Sequence, residues 1–238
     1  MQRIAILGST ELSQRLIHAF ETTGFARVVG LLDDFVAAGE ERHGRPLLGP
    51  LAEAPALTRR GAFDAVAIGI GYRHRDARRR AFAFLREASV AVATFVHPGA
   101  CIDPTARFAE GCIVMLGACV DMHAALAENV FLSARCYVSH HVTIGAHSYV
   151  APAVTLGGHT AIGECAFLGI GTTTADGVCI GSNTQTAAGA VVVGELPGDV
   201  LAAGVPARVK RQLSPRSPAG PTTANAGGDA PAPPGSDG

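Results

Sequence analysis

The residues best placed to do chemistry in this sequence are five histidines: His123, His140, His141, His147 and His159. His123, His141 and His159 follow one another at intervals of 18 residues, and His140 adjoins the central one. A column of imidazoles supports two kinds of chemistry. An imidazole titrates at about pH 6.5, so it can take a proton from an attacking amine or hydroxyl at neutral pH. It is also a metal ligand, and a zinc site needs three or four such groups converging on one point. No serine or cysteine stands in a recognisable pairing with these histidines, so a covalent intermediate is not expected and direct transfer is the simpler reading.

The elements that must position the histidines are set by a six-residue period from Ile102 to Val192. Every sixth residue from Ile102 is large and apolar apart from Thr174 and Thr186, and the residue four places later is small, as at Ala106, Cys112, Ala118, Ala124 and Cys136. Six matches neither a helix nor one long strand, and a repeat this short outranks local propensity. It fits a parallel β-helix whose coil is a triangle of three hexads. Residues 18 apart then stack one rung apart, at about 4.8 Å. His123, His141 and His159 should therefore occupy one turn on three successive rungs, outside the core. Gly or Ala directly after the large residue (Gly145, Ala151, Gly157, Gly163, Gly169, Ala175, Gly181) is read as the residue that permits the bend. With about 1.5–3 kcal/mol for each fully buried aliphatic side chain, this ladder can offset the ordering of a Gly-rich backbone.

Composition narrows the function. The chain has 238 residues, a formal net charge of −1 and no Trp, with a pI near 6.7. That balance gives no electrostatic case for nucleic acid or a membrane surface as partner. No apolar run approaches the roughly 20 residues of a spanning helix. MQRIAILG runs straight into a strand without the regions of a signal peptide, so the cytoplasm is the expected location. The six cysteines show neither CxxC pairs nor metal-ligand spacing. Cys112 and Cys136 read as core filler. Cys101 and Cys119 fall on adjacent rungs.

Ahead of the coil, residues 1–98 read as a small α/β domain: strands at 3–8, 28–34, 64–71 and 92–98, with helices at 11–23 and 75–88. Solid apolar strands alternating with helices argue half of a doubly wound parallel sheet. The second helix should turn Ala77, Ala81, Phe84 and Leu85 inward and its arginines outward. Ligands of such sheets bind beyond the C-terminal strand ends, which points to Gly8–Ser9–Thr10, Asp33–Asp34 and Gly69–Ile70–Gly71. The early motif lacks the later glycines of a dinucleotide fingerprint, so NAD is not expected. Residues 99–212 form the coil, with 202–212 folding back as a cap, and 213–238 read as a disordered tail.

A coil of this kind can bind a thioester along its side, with backbone N–H groups of neighbouring turns available to an oxyanion. RIAILG (3–8), LLDD (31–34), AIGIG (67–71), FVHPGA (95–100), the hexads and the closing GVPAR (204–208) together resemble the bacterial sugar acyltransferases of the sialic-acid and bacillosamine O- and N-acetyltransferase type. The resemblance covers residues 1 to about 210. It implies a left-handed β-helix, acetyl-CoA as co-substrate, a nucleotide-linked sugar as acceptor, and a homotrimer with CoA between the coils of neighbouring subunits. The family's catalytic base falls on His140. The next position, acidic in some relatives, is His141 here. Acetyl-CoA contacts fall on Tyr149, Ile170 and Ala188, and nucleotide-sugar contacts on Gly8, Ser9, Thr10, Asp33, Asp34 and Gly69, with no metal expected. Two alternatives stay open. One is a zinc enzyme resembling the β-helical carbonic anhydrases, whose ligands include two histidines 36 residues apart, as His123 and His159 are; their third histidine, five residues further on, is Glu164 here. The other is a non-catalytic trimeric scaffold.

Overall fold

The computed structural model describes residues 1–214, so the reading of 213–238 as a tail lies, beyond Ser214, outside the described residues. The N-terminal domain is built from β1 (Gln2–Leu7), α1 (Glu11–Thr22), β2 (Ala26–Leu32), the hairpin β3 (Glu41–Arg42) and β4 (Arg45–Gly49), α2 (Ala54–Arg59), β5 (Ala65–Ile68) and α3 (Arg75–Glu87). Its sheet order is β3-β4-β2-β1-β5, parallel except in the hairpin. The hairpin and α2 lie within residues 35–62, which read from sequence as a Gly-, Pro- and Arg-containing connection with room for one short helix; α2 is that helix, and the hairpin is unexpected. β1 is flanked by β2 on one side and β5 on the other, so the strand order reverses at β1, the point beyond whose C-terminal end such sheets bind ligands.

Two sequence expectations for this domain fail. Residues 92–98 do not add a last strand to the sheet: only Val92 bridges to Val66, and Phe95–Val96 pairs instead with Ile113–Val114 of the coil. The arginines of α3 do not all face out either. Arg78 is fully buried with Ala81, Phe82 and Leu85, while Ala77 and Phe84 are half-buried. Its guanidinium donates to Ile68 O at 2.7 Å and Asn129 O at 3.3 Å, tying the end of β5 to the coil. Burial pushes it down to about 10, so at neutral pH it stays charged.

From Phe95 onward the chain winds as a triangular parallel β-helix. Two-residue strands stack in three ladders, each in register at 18-residue steps, as in Cys101↔Cys119, Cys119↔Tyr137 and Tyr137↔Thr155. The interior holds both predicted series, from Cys112 and Val114 to Ala190 and Val192. Thr174 and Thr186, which break the apolar series, remain buried because each meets a threonine of the small-residue series: Thr160 with Thr174 at 3.1 Å, and Thr172 with Thr186 at 2.7 Å. Paired hydroxyls satisfy each other in an apolar prism. Cys112 and Cys136 are core filler, and burial pushes their thiols to about 11 and about 12. Val200–Ala203 and Arg208–Gln212 close the prism as an antiparallel hairpin.

The bend is not made where the sequence suggests. The residues with positive φ stand two places after the Gly or Ala position, among them His123 (57°), His141 (57°), His147 (63°), His159 (58°), Gly171 (66°) and Gly189 (69°). Glycine at 145 serves close stacking instead: a Cβ there would lie 2.6 Å from the backbone N of Glu164 on the next rung.

The N-terminal domain docks on one face of the prism. Phe20 and Phe95 pack edge to face with centroids 4.8 Å apart, and Leu16, Ile113, Phe131 and Tyr149 join the same core. Among the described residues, no helix is long and apolar enough to cross a membrane.

Candidate active site

Three edges of the prism separate its three faces. The docked face carries Phe131, Tyr149 and Phe167; the next carries Tyr137, Thr155 and Thr173; the third carries Thr143, Ala161 and Cys179. His123, His140, His141 and His159 all lie on the edge between the second and third faces, opposite the docked domain. His141 stacks over His159 with centroids 4.8 Å apart and planes 14° off parallel, and His123 follows on the other side at 4.9 Å. The predicted column is present. His147 does not join it. One hexad along, it turns the next edge, where Nδ1 meets Asn129 Nδ2 at 3.1 Å and the ring sits edge-on to Phe82 in the domain seam. Glu164 lies at that same edge, away from the imidazole column.

His140 differs from the other three because it is half-buried, whereas His123, His141 and His159 are exposed. Its Nδ1 lies 3.3 Å from Nδ1 of His141. One rung on, Gly158 leaves its ring room: a Cβ there would come within 2.6 Å of Cε1 and 2.7 Å of Nε2. Gly158 donates its own N–H to Asp176 Oδ1 at 2.7 Å, which fixes the backbone beneath the imidazole. Because φ at Gly158 is ordinary and the threatened group is a ring rather than backbone, Gly158→Ala should cost no more than about 1–3 kcal/mol, the range for adding a methyl to a filled site. Displacing the ring should nevertheless cost about 10²-fold in turnover. Thermal unfolding measured beside kcat would separate the two effects, and undiminished turnover would contradict the placement.

His141 binds a proton less readily than a free imidazole. Lost hydration is the main cause, followed by His159, His123 and His140, whose positive forms would repel it; Asp121 opposes the shift. The folded chain thus refuses a proton that the unfolded chain accepts. As pH falls through the ordinary imidazole range, the unfolded state gains protons first and stability is lost, until the lower folded value is passed. The unfolding midpoint of the wild type should therefore drop more between neutral and mildly acid pH than that of His141→Asn. Equal slopes would contradict this.

The other predicted residues lie elsewhere. Ile170, 59% exposed, and Ala188, also exposed, stack one above the other on the edge between the docked face and the second face, and among the described residues neither N–H donates to a backbone carbonyl. Tyr149 is 6% exposed, its ring stacked on Phe131 at 4.6 Å, and so lies in the seam with the N-terminal domain.

At the C-terminal strand ends, Gly8 takes φ +99°, and a Cβ on it would press to 3.3 Å from Gly69 O, so the ends of β1 and β5 touch at the switch point. The Ser9 hydroxyl donates to Asp33 Oδ2 at 2.6 Å, while Asp33 Oδ1 receives the Phe35 N–H at 2.9 Å. Asp34 accepts the Leu51 N–H at 2.7 Å and so caps the short turn there. Thr10 is exposed and opens α1. Sequence reasoning missed His43, which reaches over from the β3–β4 hairpin and donates from Nε2 to Ser9 O at 2.9 Å. Its signal was faint: a histidine before Gly44 in a stretch without periodicity.

No protein-family model matches the chain, and a comparison with curated proteins found no match. Solved structures do match. PerB from Caulobacter crescentus, solved with CoA and GDP-perosamine, is 29% identical with a TM-score of 0.81 over 89% of this chain and 98% of its own. The acetyltransferase domain of PglB from Neisseria gonorrhoeae, solved with acetyl coenzyme A, is 23% identical with a TM-score of 0.79, over 87% and 98%. WeeI from Acinetobacter baumannii is 21% identical with a TM-score of 0.72, over 88% and 100%. The latter two, at lower identity, speak for the fold. In its rung-by-rung hexads and docked α/β domain, this chain is similar to these three structures over nearly their whole lengths, and shares their fold.

Proposed function

We propose that the chain transfers an acyl group, acetyl, from CoA to an amine or hydroxyl of a nucleotide-linked sugar, with His140 as general base. The observation that carries this reading is the half-buried imidazole of His140 at an open edge of the prism, kept clear by Gly158. In the productive tautomer, His140 donates Nδ1–H to Nδ1 of a neutral His141, which leaves the Nε2 lone pair for the acceptor. Nε2 takes the acceptor's proton as its nitrogen or oxygen bonds to the thioester carbonyl carbon. The C–S bond then breaks, and the proton passes to the departing thiolate. His141 is a positioning residue, doing with a neutral ring what a carboxylate could do by charge.

The nucleotide-linked sugar is assigned to the strand-end residues Gly8, Ser9, Thr10, Asp33, Asp34 and Gly69, with His43 beside them. CoA is assigned to the edge of Ile170 and Ala188, through backbone N–H groups, with Tyr149 behind it in the seam. In a single chain the base lies on one edge, the CoA contacts on a second, and the sugar domain across the face opposite the base. That separation supports assembly from several copies, in a homotrimer, where one chain's base meets a neighbour's sugar domain. The test is a panel of nucleotide-linked amino and hydroxy sugars offered with acetyl-CoA while free thiol is followed. Release that depends on one acceptor supports the reading, and none with any acceptor contradicts it.

A further inference from the structure

We infer that His140, His141 and His159 form a binding site for a zinc-type divalent metal ion, and that its occupancy switches off the base. The inference about inhibition rests on the proposed acyl transfer; the site itself does not. One nitrogen from each of the three rings lies within 4.8 Å of the others. The Nδ1 atoms of His140 and His141 are 3.3 Å apart. Two ligands of a tetrahedral zinc with Zn–N of about 2.0–2.1 Å stand about 3.4 Å apart, so this pair already has the required span. His159 must turn out of its stack on His141 so that a ring nitrogen points at the shared ion, a side-chain rotation open to an exposed ring. Two of the three ligands start from turn positions with φ of +57° and +58°, on rungs hydrogen-bonded to each other, so the backbone beneath them is fixed. Imidazole nitrogen suits zinc and its neighbours in the first transition row. Three protein ligands leave the fourth position to water. A metal on Nδ1 of His140 holds the remaining ring proton on Nε2, so the nitrogen that should accept the acceptor's proton no longer can.

The experiment uses the full chain. Metal-free protein is titrated with zinc against a chromogenic chelator, and turnover is then followed with and without zinc. Asparagine tolerates the left-handed backbone at 159, so His159→Asn should fold as the wild type does. One ion per chain is expected, and His159→Asn should weaken its binding at least about 100-fold. Zinc should inhibit the wild type reversibly on chelation, while His159→Asn keeps its zinc-free turnover and escapes inhibition. Absence of saturable zinc binding below about a millimolar, or a variant that binds like the wild type, overturns the site. Binding without inhibition overturns the switch. If no acceptor supports turnover at all, the acyl-transfer reading fails and the zinc titration alone decides the site.

Discussion

Replacing His140 by alanine is expected to lower kcat about 10²–10⁴-fold, the usual worth of a positioned general base. CoA should still bind, because the assigned CoA edge, with Ile170 and Ala188, is one edge of the prism away from His140. The fold should hold as well: His140 is half-buried at a turn and contributes nothing to the interior apolar series. A fall in kcat with unchanged CoA affinity, measured by calorimetry, would place the loss in the chemical step. His141→Ala should show a smaller loss, since it removes only the partner of His140 Nδ1.

The second large effect is a recovery. His140→Ala and Asp33→Asn should each be inactive alone, the first for want of a base and the second for want of a sugar contact. If base and sugar domain come from different chains, dissociating and reassembling an equal mixture should restore about a quarter of wild-type activity, because one site in four then pairs an intact base with an intact neighbour. A mixture that stays as inactive as its parts would mean that each chain serves its own site, against the geometry of one prism edge opposite one docked domain.

Much of this was legible in the sequence because the hexad fixes a phase. Counting in eighteens stacked His123, His141 and His159 correctly and sent Cys112 and Cys136 to the core. What the count could not fix was direction and docking. His147 keeps the same hexad position as His141 but turns a different edge, into Phe82 and Asn129, because which edge meets the other domain is a long-range matter. The same limit hid Arg78: on a helical wheel it is one arginine among several, and only the approach of Asn129 makes it a buried tie. Phe95–Val96 reads as a strand either way, and its partner was decided by the first rung of the coil rather than by its own residues. The left-handed turn residues escaped notice because His, Asn and Arg fill that position more often than Gly does. His tolerates that conformation better than most side chains, so the residues that make the bend are also the ones that present imidazoles at the edge.

The most direct test of the central claim is the pH dependence of kcat/KM for the acceptor, measured side by side in wild type and in His140→Ala. With His140 as the base, the wild-type rate should fall toward low pH as that ring takes up a proton. In the variant the residual rate should be far lower and should lack that limb. A variant that keeps the wild-type rate and the same acid limb would show that the proton goes to another group, and His140 would lose its role.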